Sequence, residues 1–173
     1  IGPAQFEWLK AELKKAKEPV IIFSHQGLGT INGIENQNDL RAILEEHNAS
    51  TKKASIIVCF NGHTHADIAE EIKGIWYITI NSMAYEWLGE EYGHIRYSEE
   101  VDKNFKWIKY TAPYKDALFT VVEISTDGYI KMSGKKSEWV GPSPWDLGFP
   151  ETDKEFIKPE ITQRKLQFEA MKK

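Results

Sequence analysis

Residues 56–68 read IIVCFNGHTHADI. The first five are apolar without alternation, the pattern of a strand buried on both faces. The run stops at Asn61 and Gly62, and two histidines follow one residue apart, His63 and His65. In extended chain, residues i and i+2 point to the same side and lie about 6–7 Å apart. Imidazole binds borderline metals in its neutral form. The two ions of a dinuclear hydrolytic centre stand ~3.5–4 Å apart, so a His-x-His unit offers one ring to each ion or both to one. Ligands of α/β sheets gather outside the carboxyl ends of strands, which is where this pair stands.

The same arrangement occurs once upstream. Residues 4–17 (AQFEWLKAELKKAK) place Phe6, Leu9, Leu13 and Ala16 at spacings of three and four, an amphipathic helix ended by Pro19. The apolar run VIIF, residues 20–23, predicts a second strand covered on both faces, with His25 two residues past its end. The Gly- and Asn-rich residues 26–37 read as a loop, and Asn38 as the N-cap of a helix through about His47. Helix, strand and strand-end histidine therefore occur twice.

The second half changes character. ADIAEEI and IWYITI turn about Lys73 and Gly74, and TVVEIS and YIKMSG about Asp127 and Gly128, two hairpin patterns. Residues 85–114 carry irregularly spaced aromatics. Beyond residue 137, Pro142, Pro144, Pro150 and Pro159 break regular structure, and EITQRKLQFEA predicts a last short helix. The class is α/β passing into antiparallel β.

The 173 residues suffice for one domain with a core, and 41% apolar content argues against disorder. A formal charge of −4 without a basic cluster gives no support to a nucleic-acid partner. No apolar stretch approaches the ~20 residues of a membrane-spanning helix, so no membrane partner is expected. Cys59, the single cysteine, excludes an internal disulfide and reads as a small buried residue. The chain opens without Met, so a natural start upstream is expected and no compartment is read.

Taken singly, these histidines have plainer explanations. A lone strand-end His25 is more often a satisfied polar residue than a ligand, and His47 at a helix end suits the helix dipole. His94, among aromatics, reads as core or rim. Taken together, QFEWLKAEL, PVIIFSHQ, NGHTHADIAEEIKGIWYITINS, APYKDALFTVVEI and PEITQRKLQ resemble, in order, the C-terminal half of a calcineurin-like metallophosphoesterase. The specific part is His25 paired with Gly62-His63-Thr64-His65. The resemblance implies a four-layer α/β/β/α sandwich, of which residues 1–136 are the C-terminal half and 137–173 a Pro-containing extension on the same domain. It implies that His25 and His63 share one divalent ion and that His65 holds its neighbour, the ions being Mn, Fe or Zn. Substrate contacts are expected from Tyr85, Tyr92 and His94.

The family's earlier motifs, Asp-x-His, Gly-Asp-x-x-Asp and Gly-Asn-His-Asp/Glu, have no counterpart among Asp39, Asp67, Asp102, Asp116, Asp127, Asp146 and Asp153. Three neutral imidazoles offset none of the charge of two divalent ions, so the chain is expected to carry half a site. No catalytic residue is assigned. The expected function is phosphoester hydrolysis by a dinuclear centre completed by a missing N-terminal half or by self-association. The isolated chain is expected to be inactive and to bind one ion or none. Two other classes fit the same residues: a non-catalytic assembly module, and a mononuclear zinc hydrolase on His25, His63 and His65.

Overall fold

The computed structural model describes residues 1–31, 33–51 and 53–169. Among these the chain is mixed α/β, with three α-helices and eleven short strands. In order they are α1 (Pro3–Lys15), β1 (Val20–Phe23), α2 (Gln37–Ser50), β2 (Ile56–Asn61), β3 (Ile68–Ile72), β4 (Ile75–Thr79), β5 (Tyr85–Trp87), α3 (Glu99–Asn104), β6 (Thr111–Pro113), β7 (Val122–Ser125), β8 (Tyr129–Met132), β9 (Lys135–Lys136), β10 (Glu160–Ile161) and β11 (Arg164–Gln167).

A four-stranded sheet in the order β1-β2-β4-β3 forms the centre. β1, β2 and β4 run parallel, and β3 is antiparallel to β4. One face carries Ile56, Cys59, Ile75 and Tyr77 against Leu13 of α1 and Leu40 and Leu44 of α2. The opposite face carries Val58, Phe60 and Ile78 against Ile130 and Met132 of a second sheet, ordered β11-β8-β7. Helices, parallel sheet and antiparallel sheet thus form successive layers, because every side chain of β2 is buried.

The two hairpins form at the predicted turns. Lys73 and Gly74 both have positive φ, 50° and 79°, as a two-residue turn matched to strand twist requires. At the other turn only Gly128 does, at φ 89°, where Ser125 pairs with Tyr129 across a three-residue loop.

Two expectations are corrected. β1 is not covered on both faces: Ile21 and Phe23 are 41% and 77% exposed. They lie in register with Val58 and Phe60, but β1 is the sheet's edge strand and the second sheet does not reach it. An unbroken apolar run reports apolarity, and burial on a given face depends on what lies opposite. The C-terminal segment is not helical over its described residues; Ala170, the last residue of that expectation, lies outside them. Residues 164–167 add a strand to β8, placing Leu166 opposite Ile130 at the core. β8 supplies the register for this short alternating run, a partner that the segment alone does not show.

The C-terminal segment is tied down by one buried carboxylate. Asp67 receives Nη1 of Arg164 at 2.6 Å, the backbone N–H of Thr162 at 3.2 Å, and the ammonium of Lys158 at 3.3 Å. Burial alone would push its carboxyl pKa up. The hydrogen bonds from Arg164 and Thr162, with the charges of Arg164 and Lys158, outweigh burial and hold it below the usual range. A lowered folded pKa contributes stability that is present above the unfolded pKa and lost as pH falls through the folded value. We expect Asp67→Asn to cost about 3 kcal/mol at pH 7, because Arg164 is left without its counter-charge. Urea titrations at pH 7 and below pH 4 check this: the gap between wild type and variant should close in acid.

Candidate functional site

The parallel pairing of β1 with β2 brings the histidines together. Phe23 pairs with Phe60, and the ladder continues beyond the strands: Ser24 N–H donates to Phe60 O at 3.0 Å, and Gly62 N–H to His25 O at 3.2 Å. His25 and His63 therefore stand on adjacent strand ends, with ring centroids 4.7 Å apart and planes inclined at 61°. The end of β2 is fixed from its other side. Asn61 is buried and accepts the Thr79 hydroxyl at 2.8 Å, and Ile80 N–H donates to Asn61 O.

The pair His63 and His65 is not in extended chain. Both have left-handed backbone, φ 69° and 51°. Thr64 N–H donates to Gly62 O at 2.9 Å, closing a three-residue γ-turn about His63 in its rarer, more strained hand. Left-handed φ is uncommon outside glycine and costs of order 1 kcal/mol or more, and such positions gather at ligand sites. The turn also separates the two rings' surroundings. His63 is exposed beside His25, whereas His65 is half-buried with its ring edge-on to Tyr85 at 5.1 Å. Burial, then the neighbouring charge of His63, lowers the His65 pKa, with the Tyr85 backbone acting the other way. His65 is thus kept neutral, the form that ligates, and its buried Nδ1 has no hydrogen-bond partner.

An imidazole nitrogen lies about 2.0–2.1 Å from zinc, so two rings on one ion at roughly 90–109° would have centroids ~4.5–5.2 Å apart. The 4.7 Å between His25 and His63 fits that demand. Among the described residues, no group of three or more His, Cys, Asp or Glu is disposed to hold a metal ion. His65 thus faces a different neighbour from the other two.

Of the expected substrate contacts, Tyr85 is the one that touches a histidine of the pair. Tyr92 packs edge-on against Phe149 at 5.2 Å, and His94 is exposed, its backbone N–H donating to Lys109 O. His47 lies apart in the last turn of α2, its Nε2 2.9 Å from Ala54 O. Cys59 is buried mid-strand, where burial pushes its thiol up to about 12 and leaves it unreactive.

Sequence reasoning passed over Glu86. It points inward from β5 and is 5% exposed, with Oε2 buried and unpartnered. Burial raises its pKa to about 8, against a smaller opposing hydrogen bond from the Trp87 backbone. Its only sequence signal is its position between the outward Tyr85 and Trp87, an alternation too short to read unaided.

Two outcomes follow. A glycine at position 63 relieves the left-handed backbone and loses only an exposed ring. His63→Gly is therefore expected to leave stability unchanged or raise it by up to about 1 kcal/mol in urea denaturation. A raised carboxyl pKa gives a contribution that is full below the unfolded value and lost as pH rises through about 8. Glu86→Gln should therefore stabilise the fold more at pH 9 than at pH 5, as measured by thermal melts at both. Compared with known proteins, the chain matches no protein-family model and no curated protein sequence.

Proposed function

We propose that this chain is the histidine-bearing half of a dinuclear metallophosphoesterase, hydrolysing a small-molecule phosphoester. The reading rests chiefly on one observation: two histidines hold left-handed backbone at a strand end, one with its ring 4.7 Å from a third histidine on the adjacent strand end. His25 and His63 would hold one divalent ion, Mn, Fe or Zn, and His65 the neighbouring ion. When bound, such a pair of ions supplies an activated hydroxide and neutralises the phosphoryl oxygens. The chain's own part is to present neutral imidazoles at fixed positions. Tyr85 orients the ring of His65, and Tyr92 and His94 would border the substrate.

The fold proposal is the four-layer α/β/β/α sandwich, with residues 1–136 as its C-terminal half and 137–173 as an extension. In support, helices, parallel sheet and antiparallel sheet already make successive layers, and β10 and β11 pair with β9 and β8. The missing N-terminal half, or a second copy of the chain, would cover the exposed Ile21 and Phe23 on the open edge strand and bring the carboxylates.

The test is zinc chloride added to the full chain, followed through the imidazole proton resonances. The His25 and His63 signals should move together, those of His47 and His94 should not, and His25→Ala should abolish the His63 response. His25 and His63 signals that stay fixed up to about millimolar zinc overturn the reading. Tight binding of one zinc with all three signals moving together would favour the mononuclear hydrolase.

A further inference from the structure

A cavity of about 390 Å³ begins within one residue of both His63 and His65, because Thr64 is part of its wall. This lies toward the lower end of the size range of small-molecule sites, with room for one or two rings. Its apolar walls come chiefly from Phe149, Phe156 and Ile157, and its polar groups are Thr64, Glu86, Thr152 and Asp153. The wall is built into the fold. Asp67 N–H holds Phe156 O at 3.0 Å, and the Phe149 ring is braced by Tyr92 at 5.2 Å and Trp145 at 6.0 Å.

Two buried polar atoms without a hydrogen-bond partner, Thr64 Oγ1 and Glu86 Oε2, belong to residues lining this one cavity. Leaving such an atom unpaired costs about 1–3 kcal/mol, so a native structure that keeps two at one place has a use for them. The lining contains no Lys, Arg or His and two carboxyl groups, which disfavours an anion. A phosphoryl group is therefore disfavoured in the cavity, and on the phosphoesterase reading it would sit outside it, at the histidines.

We propose that this cavity binds the uncharged, aromatic ring portion of the ligand, through an N–H donated to Glu86 and contact with Phe149 and Phe156. Resting on the phosphoesterase reading, that portion is the alcohol side of the ester. The substrate class is then a phosphoester of a nitrogen heterocycle rather than of a sugar acid or a second phosphate.

Benzimidazole serves as the probe and benzoate as the anionic control, added to the full chain with EDTA present so that no metal contributes. In amide-resolved NMR, benzimidazole should shift the signals of Thr64, Glu86 and Phe156 saturably, with a dissociation constant below about 1 mM, and benzoate should not. Glu86→Leu removes a buried carboxyl whose Oε2 has no partner, so this variant should fold at least as stably, yet bind benzimidazole at least roughly tenfold more weakly. Absent saturation, equal binding in Glu86→Leu, or equal binding of benzoate overturns the proposal. The zinc titration stands apart from this. Benzimidazole binding without a zinc response at His25 and His63 keeps the ring site and removes its assignment to an ester, and a zinc response without benzimidazole binding does the reverse.

Discussion

The buried Asp67 is the constraint on which the site's geometry depends. It stands two residues after His65, at the entry to β3, and its partners Lys158, Thr162 and Arg164 lie more than ninety residues away. Arg164 also reaches the Asp67 carbonyl through Nη2 at 3.3 Å, so side chain and backbone are held by the same guanidinium. A planar fork of this kind fixes orientation as well as charge. Its consequence is local: β2 ends at Asn61 under the Thr79 hydroxyl, Asp67 is held by Arg164 just before β3, and the five residues between Asn61 and Asp67 must turn within that span. The left-handed φ values of His63 and His65 are stored there because both ends are pinned.

The same clamp builds the cavity. Asp67 N–H holds Phe156 O, so the segment carrying Phe156 and Ile157 lies against the histidine turn. Asn81 adds a second tie, donating through Nδ2 to Lys158 O at 2.6 Å and Glu160 O at 3.1 Å while accepting the Tyr114 hydroxyl at 3.1 Å. The nearby Glu86 carboxyl contributes to raising the Tyr114 pKa, behind burial itself. The exposed His63 on one side of the turn and the partly apolar cavity on the other are thereby separated by a single residue, Thr64.

What was legible in the sequence was whatever local pattern decides. The buried β2 strand, the Lys73–Gly74 turn and the position of His25 past β1 depend on neighbours in the chain, and all three appear in the structure. The His-x-His spacing was visible, but its assumed extended geometry was not correct, because the backbone there is set by Asp67 and Asn61 from both sides. Residues 164–167 looked helical until β8 offered a register, and Asp67 was passed over because no motif contains it. Long-range pairs leave no mark at short spacing. Glu86 is the same case in miniature: a carboxylate in an aromatic stretch reads as solvated, and only the closing of β5 on β6 makes it inward and unpaired.

These departures from local preference fall in one region. A chain selected for stability alone would place glycine at position 63 and an apolar residue at position 86, since the first change relieves a left-handed backbone and the second removes a buried carboxyl whose burial outweighs its one hydrogen bond, from the Trp87 backbone. Elsewhere most positive φ values fall on glycine, as at Gly74 and Gly128, with Lys73 in the tight hairpin turn the one other non-glycine among the described residues. Buried unpartnered polar atoms occur elsewhere too, at Tyr77 and Arg96 among others, but here three of them, on Thr64, His65 and Glu86, accompany two left-handed histidines. The exposed Phe23 fits the same logic from the outside. Its ring stacks on Phe60 at 5.6 Å, so it already lies against the core surface and lacks only a cover on its far side. β1 is the edge strand of its sheet, and His25 stands two residues past its end. The open edge of the sheet and the meeting of His25 with His63 therefore lie at the same strand, so whatever shape the edge takes bears directly on the histidines.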